Sequence, residues 1–516
     1  MAIRTQRGTG RQNSGWASEI GRAQILTALE VHPAKRTWLR LAITLAVLLY
    51  NTGANADRPN IVMIMCDDLG YADVGFNGSP DILTPELDKL AAAGTVCTSA
   101  YVVHPFCGPS RMGLMAGRYP HTFGAPFNLP NSGQGYEEYN RKGIPISETL
   151  ISTVLQKSGY STAVVGKWHM GVDSQYHPNN RGFDEFYGFL GGGHDYFSER
   201  YVATYARQVK AGKKSFNDYI VPLEHNGKQV VETEYMTDAI SREGARFIND
   251  VAGKQNPFFL YVAYNAPHQP LQAKTDDLKL YAHIRNEKRR TYAAMVHAVD
   301  RGVGTIVDAL KSKDAFENTL IVFLSDNGGK LGAGAANNTP LKQGKGSVCE
   351  GGVRVPMFFH WPGKVPAGAE FSHPVSSIDF YPTFAGLAEA NVPATLQLDG
   401  KDIWVDFIAG RNPRKGEPLF ALRYHAAFGN LGVRQDQWKA SCIGKKWRLF
   451  NIETDVGETR DVSNQHPEIL QSIIRTAENW SQDHVTPQWF DNTMAGKRWV
   501  ENDMPNYQAI FPPDRN

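Results

Sequence analysis

The chain has 516 residues, of which 42% are hydrophobic and 21% charged, and its formal net charge is +2. These proportions exclude a disordered chain and are typical of a globular protein long enough for one large and one smaller domain. No basic tract indicates nucleic-acid binding, and beyond residue 56 no hydrophobic stretch is long enough for membrane insertion.

The first 56 residues have the features of a signal peptide with a long N-terminal extension. A basic flank that ends at Arg40 precedes an apolar run at 41–50, and Ala54-Asn55-Ala56 offers a cleavage site between small residues. The apolar run is too short to span a bilayer. Seven Lys and Arg and two Asp and Glu lie in 1–56, so cleavage would leave a net charge of −3. The pattern predicts export to the periplasm or the medium.

Four apolar segments predict buried strands, and each ends in a polar cluster. In chain order, the strands at 60–65, 161–165, 257–264 and 320–324 precede Asp67-Asp68, Lys167-Trp168-His169, Asn265-Ala266-Pro267-His268 and Ser325-Asp326-Asn327. Helices are predicted between them at 84–94, 147–158, 234–251 and 289–312, and Thr84-Pro85 is predicted to cap the first of them. This alternation predicts an α/β fold with a mainly parallel sheet covered by helices on both faces. Since ligands bind at the carboxyl ends of such strands, we expect the four clusters along one sheet edge.

The remainder of the chain predicts a long loop and a second, smaller unit. A glycine-rich stretch at 328–353 lacks periodicity and contains Lys345, and structureless loops of this length are usually functional or disordered. A strand at 355–360 and a helix at 377–390 follow. Strands at 440–443 and 447–451 and a helix at 467–483 then indicate an α+β unit. We therefore predict a catalytic domain at 57–415 and a C-terminal domain at 416–516.

Two of the strand-end clusters have the donor atoms of a metal site. Asp67, Asp68, Asp326 and Asn327 offer only oxygen ligands, which suit Ca²⁺ or Mg²⁺ rather than zinc. Three carboxylates held together without a cation would repel one another, and their pKa values would rise. Each cluster alone could be an ordinary solvated turn. Their shared position directly after buried strands favours the metal site.

The segment Cys107-Gly108-Pro109-Ser110-Arg111 leads into a predicted helix and carries the most specific signal in the chain. It resembles the signature of the type I sulfatases, whose cysteine is oxidised to formylglycine by a formylglycine-generating enzyme. Further matches to that family follow in chain order: Asn60-Ile61-Val62 before Asp67-Asp68, Gly166-Lys167-Trp168-His169, Ala266-Pro267-His268, Ser325-Asp326-Asn327-Gly328, and Gly344-Lys345-Gly346 with Glu350-Gly351-Gly352. The resemblance implies an alkaline-phosphatase-like fold with a large mixed sheet.

The resemblance also implies a role for each matching residue. One Ca²⁺ would be bound by Asp67, Asp68, Asp326, Asn327 and the modified Cys107. Arg111 would hold the formylglycine in place, and His169 would help to deprotonate its hydrate. Lys167, His268 and Lys345 would contact the sulfate, with His268 or Lys345 protonating the departing alcohol. His194, which follows Gly191-Gly192-Gly193, is a weaker candidate for a substrate contact, and a structural histidine is nearly as plausible there.

The predicted activity is hydrolysis of sulfate monoesters, with sulfated carbohydrates as the expected substrates of an exported enzyme. A formylglycine hydrate suits this chemistry, because one hydroxyl can attack sulfur while deprotonation of the other expels sulfate and re-forms the aldehyde. One alternative is a phosphomonoesterase or phosphodiesterase of the same superfamily, although these typically place Ser or Thr at the nucleophile position. A non-catalytic sulfoglycan-binding protein is the other. The sequence does not specify the sugar or the oligomeric state.

The chain contains five cysteines, an odd number for an exported protein. Conversion of Cys107 would remove it from the count. The other four are Cys66, Cys97, Cys349 and Cys442. Their spacing is compatible both with disulfide pairs and with buried thiols.

Overall fold

A computed structural model describes residues 58–130, 141–425 and 428–501. The predicted signal peptide lies outside these residues, so it stays a prediction. In the described part of the chain, no helix has the length and apolarity needed to cross a membrane. All five cysteines are buried and free. Of the two alternatives for Cys66, Cys97, Cys349 and Cys442, the structure therefore has the buried thiols.

The described residues contain sixteen strands. In chain order they are β1 Asn60–Cys66, β2 Thr95–Cys97, β3 Ala100–Tyr101, β4 Ser161–Lys167, β5 Glu185–Phe189, β6 Glu224–His225, β7 Lys228–Gln229, β8 Phe258–Ala263, β9 Thr319–Ser325, β10 Met357–His360, β11 Ala369–Phe371, β12 Val375–Ser376, β13 Leu419–His425, β14 Phe428–Gln435, β15 Trp438–Ile443 and β16 Lys446–Asn451. The four strands predicted before the polar clusters are confirmed as β1, β4, β8 and β9. Their ends differ from the predictions by one or two residues.

Ten strands form one large sheet in the order β11-β2-β10-β9-β1-β8-β4-β5-β6-β7. The five central strands, from β9 to β5, run parallel to one another. Strand β10 is antiparallel to both of its neighbours, and so is β6. The predicted mixed, mainly parallel sheet is thus confirmed. Because β9-β1-β8-β4 are adjacent and parallel, all four polar clusters emerge at the same edge.

Twelve α-helices lie within the described residues. They are α1 Pro85–Ala92, α2 Cys107–Ala116, α3 Ile151–Lys157, α4 Ser198–Lys210, α5 Met236–Val251, α6 Thr275–Leu280, α7 Glu287–Ser312, α8 Glu350–Val353, α9 Phe380–Leu387, α10 Trp404–Ile408, α11 Pro467–Ser481 and α12 Thr493–Glu501. Helices α1, α5 and α7 contribute to the hydrophobic cluster on one face of the sheet, and α2, α3 and α9 to that on the other. Successive residues of β1, such as Met63 and Ile64, face opposite clusters, as the two-residue period of a strand requires. This explains why the central strands are apolar throughout.

Long-range contacts shorten one helix relative to its prediction. The segment predicted to be helical from 147 begins its helix only at Ile151. The Arg181 guanidinium donates hydrogen bonds to the carbonyl oxygens of Ile144, Pro145 and Glu148. These contacts hold the preceding residues in a turn, which local propensity alone does not reveal.

The start of α1 is capped by a distant residue. The helix begins at Pro85 as predicted, but the Thr84 hydroxyl accepts a hydrogen bond from Gly75 N at 2.7 Å instead of capping the helix. The Asp300 carboxylate, from α7, accepts from Leu87 N at 2.8 Å. A side chain that is far away in sequence thus satisfies an N–H group that a helix leaves without an internal partner.

The C-terminal part contains an antiparallel sheet of four strands, β13 to β16 in sequence order. The predicted strands at 440–443 and 447–451 are confirmed as β15 and β16, and the predicted helix at 467–483 is confirmed as α11. Strands β13 and β14 are not predicted by the sequence analysis. The domain boundary at residue 416 stays a prediction.

A buried ion pair joins this C-terminal sheet to the first residue of α8, directly after the long loop. Lys439 Nζ, from β15, lies 2.9 Å from Glu350 Oε1, and the two side chains are 2% and 0% exposed. The other Glu350 oxygen accepts a hydrogen bond from the Tyr101 hydroxyl at 2.7 Å. Glu350 N donates to Glu458 Oε2 at 2.8 Å. The loop that contains Lys345 is therefore anchored by buried charges.

Replacing Lys439 by methionine is expected to reduce the free energy of unfolding by about 3–5 kcal/mol, because the Glu350 carboxylate would stay buried without its main counter-charge. Chemical denaturation followed by circular dichroism measures this change. Lys401→Met is the matched control, since its ion pair with Glu417 is 40% and 46% exposed and should contribute little. If Lys439→Met and Lys401→Met reduced the free energy of unfolding equally, the buried pair would contribute no more to stability than the exposed one.

Candidate active site

The predicted site residues meet at the carboxyl edge of the central strands. Ligand atoms of four side chains lie within 4.8 Å of one another: those of Asp67, Asp68, Cys107 and His268. Lys167, Asp326, Asn327 and Lys345 contact members of this group, and all are buried or nearly so. The geometric expectation of a single cluster is met. The role of each residue stays a prediction.

Cys107 is the first residue of α2 and is 2% exposed. Its Sγ lies 3.2 Å from Asp67 Oδ1 and 3.2 Å from Lys345 Nζ. At the helix N-terminus, Gly108 N donates to the side-chain oxygen of Asn128 at 2.9 Å. Burial, reinforced by the Asp67 charge, raises the pKa of the Cys107 thiol. An unmodified Cys107 would therefore be a poor nucleophile, because the thiolate is the reactive form.

Two lysines lie directly against the first two carboxylates. Lys167 Nζ is 2.5 Å from Asp67 Oδ2, and neither side chain is exposed. Lys345 Nζ is 2.8 Å from Asp68 Oδ2 and reaches the cluster from the long loop. Burial acts to raise the pKa of Asp67, but Lys167 and other nearby cations outweigh it and hold the pKa well below 3.8. Asp67 is therefore charged at neutral pH.

Arg111 and Asp326 form a second buried pair beneath the cluster. Arg111 Nε donates to Asp326 Oδ2 at 2.9 Å, and both side chains are fully buried. Arg111 also donates to the Lys167 carbonyl oxygen and to the Tyr261 hydroxyl, each at 3.2 Å. Burial, with the negative charge of Asp67 adding to it, raises the pKa of Asp326 to about 7. Burial is the larger cause, and the contribution of Asp67 is the repulsion among carboxylates that the sequence predicts for the site.

The two predicted catalytic histidines both line the cavity that opens onto Cys107. His268 Nδ1 lies 2.6 Å from the Gln269 carbonyl oxygen, and Nε2 lies 3.7 Å from Asp68 Oδ2. A proton on Nδ1 is therefore held by the backbone, and Nε2 faces the site. His169 is 4% exposed, and its Nδ1 has no hydrogen-bond partner. Burial lowers the pKa of His169 well below 6.5, so its ring is neutral.

The donor set fits a hard divalent cation. The Asn327 side-chain oxygen is buried without a hydrogen-bond partner, whereas its nitrogen donates to Asp68 Oδ1 at 2.8 Å. An oxygen in that state, beside carboxylates of which one has a raised pKa, is suited to a Ca²⁺ ligand. His268 is one of the four residues whose ligand atoms lie within 4.8 Å of one another, although the resemblance places it among the sulfate contacts and outside the metal ligands. Asp326, a predicted metal ligand, is not one of those four, and its Oδ2 accepts a hydrogen bond from Arg111 Nε.

His194 is the one predicted residue that the structure does not bring to the cluster. Its Nδ1 and Nε2 each lie 2.7 Å from a backbone carbonyl oxygen, those of Asp195 and Val221. The side chain is fully buried, and its ring packs edge-on against Tyr201. These contacts favour the structural role over the predicted substrate contact.

A cavity of about 250 Å³ opens onto Cys107, His169, His268 and Lys345. Its walls include five residues that the sequence analysis does not single out: Phe106, Asn128, Tyr219, Arg423 and Asp491. Of these five residues, only Phe106 has a sequence feature that indicates a place in the site, because it directly precedes the cysteine motif. The other four come from distant loops and strands without a recognisable pattern, so only the fold brings them here.

Gly192 also lines the cavity, and its lack of a side chain makes room for His169. A Cβ at this position would lie 2.8 Å from His169 Nε2. On the other side, a Cβ at Gly108 would lie 3.5 Å from the same ring. The lack of a side chain at Gly192 thus permits close packing against His169.

Gly192→Ala is expected to lower kcat about 100-fold, because the added methyl group would displace the ring of His169, a predicted proton acceptor, by up to about an ångström. The added methyl group should also cost about 1–3 kcal/mol of stability. Steady-state kinetics and thermal unfolding measure the two effects. Gly457→Ala is the control, since its Cβ would meet no atom closer than 3.4 Å. Normal kinetics in Gly192→Ala would show that the ring tolerates the displacement.

The fold and the site define the class of protein to which the chain belongs. The family model described as Sulfatase matches residues 59–390, which is more than half of the chain. A second model, described as N-sulphoglucosamine sulphohydrolase, C-terminal, matches residues 344–480. The chain belongs to the sulfatase family and is a sulfuric ester hydrolase.

Curated relatives extend over most of the chain. Arylsulfatase J of Mus musculus is 32% identical over 485 residues, which cover 84% of this chain and 77% of that protein. N-acetylgalactosamine-6-sulfatase of Mus musculus is 32% identical over 434 residues, covering 82% of this chain and 80% of that protein.

Solved structures confirm the alkaline-phosphatase-like fold. The crystal structure of Ps i-CgsB in complex with k-i-k-neocarrahexaose is 53% identical with a TM-score of 0.86, and the match covers 88% of this chain and 100% of that one. The PsFucS1 sulfatase from Pseudoalteromonas sp. is 23% identical with a TM-score of 0.70, over 89% of this chain and 96% of that one. The second likeness concerns the fold alone.

Proposed function

We propose that this sulfatase is exported and hydrolyses sulfate monoesters of carbohydrates, with Cys107 converted to formylglycine and one Ca²⁺ bound beside it. The observation that carries the proposal is the position of Cys107 Sγ, 3.2 Å from both Asp67 Oδ1 and Lys345 Nζ at the floor of the cavity. A residue at this position would contact both a bound cation and an entering sulfate. The converting partner would be a formylglycine-generating enzyme.

The proposed substrate is a sulfated oligosaccharide of the carrageenan type. The support is the neocarrahexaose complex of Ps i-CgsB, which shares 53% identity with this chain along its whole length. Curated relatives named for a sulfated sugar, such as N-acetylgalactosamine-6-sulfatase, point to the same broad class of substrate.

Electrostatics explains how the site would attract a sulfate ester. The cationic side chains of Lys167, Lys345 and Arg111 offset the charges of Asp67, Asp68 and Asp326. A divalent cation held by Asp67, Asp68, Asp326 and Asn327 would supply Lewis acidity and leave the site with net positive charge. The sulfate oxygens would then lie against Lys167, Lys345 and His268. The two lysines would supply positive charge, whereas burial lowers the pKa of His268 to about 4, so its ring would contact the sulfate as a neutral group.

Proton transfer in the proposed reaction falls to side chains that are already oriented. His268 Nε2 faces the cluster because Nδ1 donates to the Gln269 carbonyl oxygen. Since burial lowers the pKa of His268 to about 4, Nε2 would pass a proton to the departing alcohol only in the imidazolium form, which the negative charge of a bound sulfate favours. Lys345 Nζ is the second candidate for that role. The neutral His169, held beside Gly108, would accept the proton that is lost during sulfate release.

Two measurements on protein from its natural host test the proposal. Mass spectrometry of the peptide that spans residue 107 distinguishes thiol from aldehyde. Sulfate release from defined carrageenan oligosaccharides, with an aryl phosphate as the control substrate, then measures the activity and its selectivity for sulfate. Full activity of a protein with a free thiol at position 107 would refute the formylglycine mechanism.

A further inference from the structure

Arg423 lines the cavity and contacts Phe106 and Gly346, the chain neighbours of Cys107 and Lys345. The Arg423 guanidinium carbon lies 4.6 Å above the centroid of the Phe106 ring, next to Cys107 in the chain. Its Nη1 donates a hydrogen bond to the carbonyl oxygen of Gly346, next to Lys345. Arg423 belongs to β13, so the C-terminal sheet reaches the cavity through this side chain. Its position relative to the reacting groups is therefore set by two contacts.

Asp491 faces the same cavity and carries the opposite charge. One carboxylate oxygen accepts a hydrogen bond from the Asn492 side chain at 2.8 Å. Burial raises the pKa of Asp491, and the nearby charge of Arg423 opposes that rise. Among the described residues, the two groups are not joined by a direct ion pair, although both line the cavity.

These groups retain hydrogen-bonding capacity toward the cavity. A guanidinium has five N–H donors, of which Arg423 uses one for Gly346. A carboxylate accepts up to about four hydrogen bonds, and the Asp491 carboxylate interacts with the Asn492 side chain and with the backbone N–H groups of Asp491 and Asn492, which leaves capacity for a ligand hydroxyl. Arg423 is partly buried, whereas the Asp491 residue as a whole is exposed, so a ligand in the cavity can reach both groups. Hydrogen bonds to charged groups contribute more than those between neutral groups. The wall therefore has donors and acceptors in place for a ligand.

We propose that Arg423 and Asp491 bind free hydroxyl groups of the sugar ring that carries the scissile sulfate, and that Asp491 excludes rings with a second sulfate at that edge. A hydroxyl both donates and accepts, so it can satisfy the carboxylate and the guanidinium together. A sulfate only accepts, and its charge would repel Asp491. Arg423 and Asp491 would thus favour a ring with a free hydroxyl, which both can bind, over a ring with a second sulfate, which Asp491 would repel. This inference rests on the proposed carbohydrate sulfatase function.

The test compares two substrates that differ at one position of the reacting ring. One has a free hydroxyl next to the scissile sulfate, and the other has a second sulfate there. We expect the wild-type enzyme to favour the first in kcat/KM. Asp491→Asn should reduce the ratio of the two kcat/KM values at least about 10-fold. The amide keeps the size of the carboxylate but removes its repulsion of the second sulfate. Arg423→Lys should lower kcat/KM for the free-hydroxyl ring about 10-fold or more, since lysine lacks the planar fork.

Asp483→Asn is the matched control, because this exposed carboxylate lies on the same segment of the chain and should leave the preference unchanged. Melting temperatures of all three variants verify folding. An unchanged preference in folded Asp491→Asn, with sugar sulfates still cleaved, overturns this inference alone. A wild-type enzyme that carries formylglycine yet cleaves neither sugar sulfate overturns the proposed function, and this inference with it.

Discussion

Cys107→Ala should abolish sulfate ester hydrolysis, with a loss of at least about 1,000-fold in kcat, because it removes the only proposed nucleophile. The protein should stay folded. The Cys107 side chain is small, and Lys345 keeps its contact with Asp68 at 2.8 Å when the sulfur is gone. Truncation of so small a side chain should cost about 1 kcal/mol or less of stability. Cys107→Ala is therefore expected to lose its activity while its stability stays nearly unchanged.

Initial rates of sulfate release and the midpoint of thermal unfolding measure the two quantities on the same preparation. Cys97→Ala is the matched control, since Cys97 is likewise a buried free thiol but lies in the hydrophobic core away from the cavity. Substantial turnover by Cys107→Ala, after exclusion of contaminating sulfatase, would show that another group attacks sulfur.

Asp326→Asn is expected to reduce both Ca²⁺ binding and activity, the latter by about 100-fold or more. The carboxylate is fully buried, and the amide would keep its shape and one acceptor for Arg111 Nε, now 2.9 Å away. The substitution removes one negative charge from the donor set. It also deprives the buried Arg111 of its counter-charge, so some loss of stability is expected as well.

A calcium titration of thermal stability separates these effects. The melting temperature of the wild type should rise with Ca²⁺ and fall on chelation, because a ligand that binds the native state stabilises it. In Asp326→Asn the dependence on Ca²⁺ should be weakened. Asp300→Asn is the control, because Asp300 is also buried and its pKa is also raised, to about 6, but its carboxylate caps α1. An unaltered calcium response in Asp326→Asn would remove Asp326 from the metal site.

The sequence predicts most of the central sheet and its polar edge because both depend on short-range patterns. An apolar run of four to eight residues reads as a buried strand, and the position of Asp67-Asp68 after β1 follows directly from the end of that run. The cysteine motif is similarly local. Its match to a family pattern needs no knowledge of contacts between distant segments.

Errors arose where distant residues override local preference. The turn before α3 exists because Arg181 occupies three backbone carbonyl oxygens, and Thr84 is displaced as a cap by Asp300. For His194, the sequence leaves a substrate contact and a structural role nearly equally plausible, and the contacts of the ring favour the structural role. Its ring lies between two carbonyl oxygens.

The sequence by itself determined the α/β class, the order of the strands along the chain, and the residue types available for the chemistry. Only the tertiary structure decided which of those residues meet, since adjacency of β9, β1, β8 and β4 depends on strand pairing across hundreds of residues. It also decided that Arg423 and Asp491 share the cavity with Cys107. The physical reason is that local patterns report backbone conformation and burial, whereas a site is formed by packing between segments that no local pattern relates.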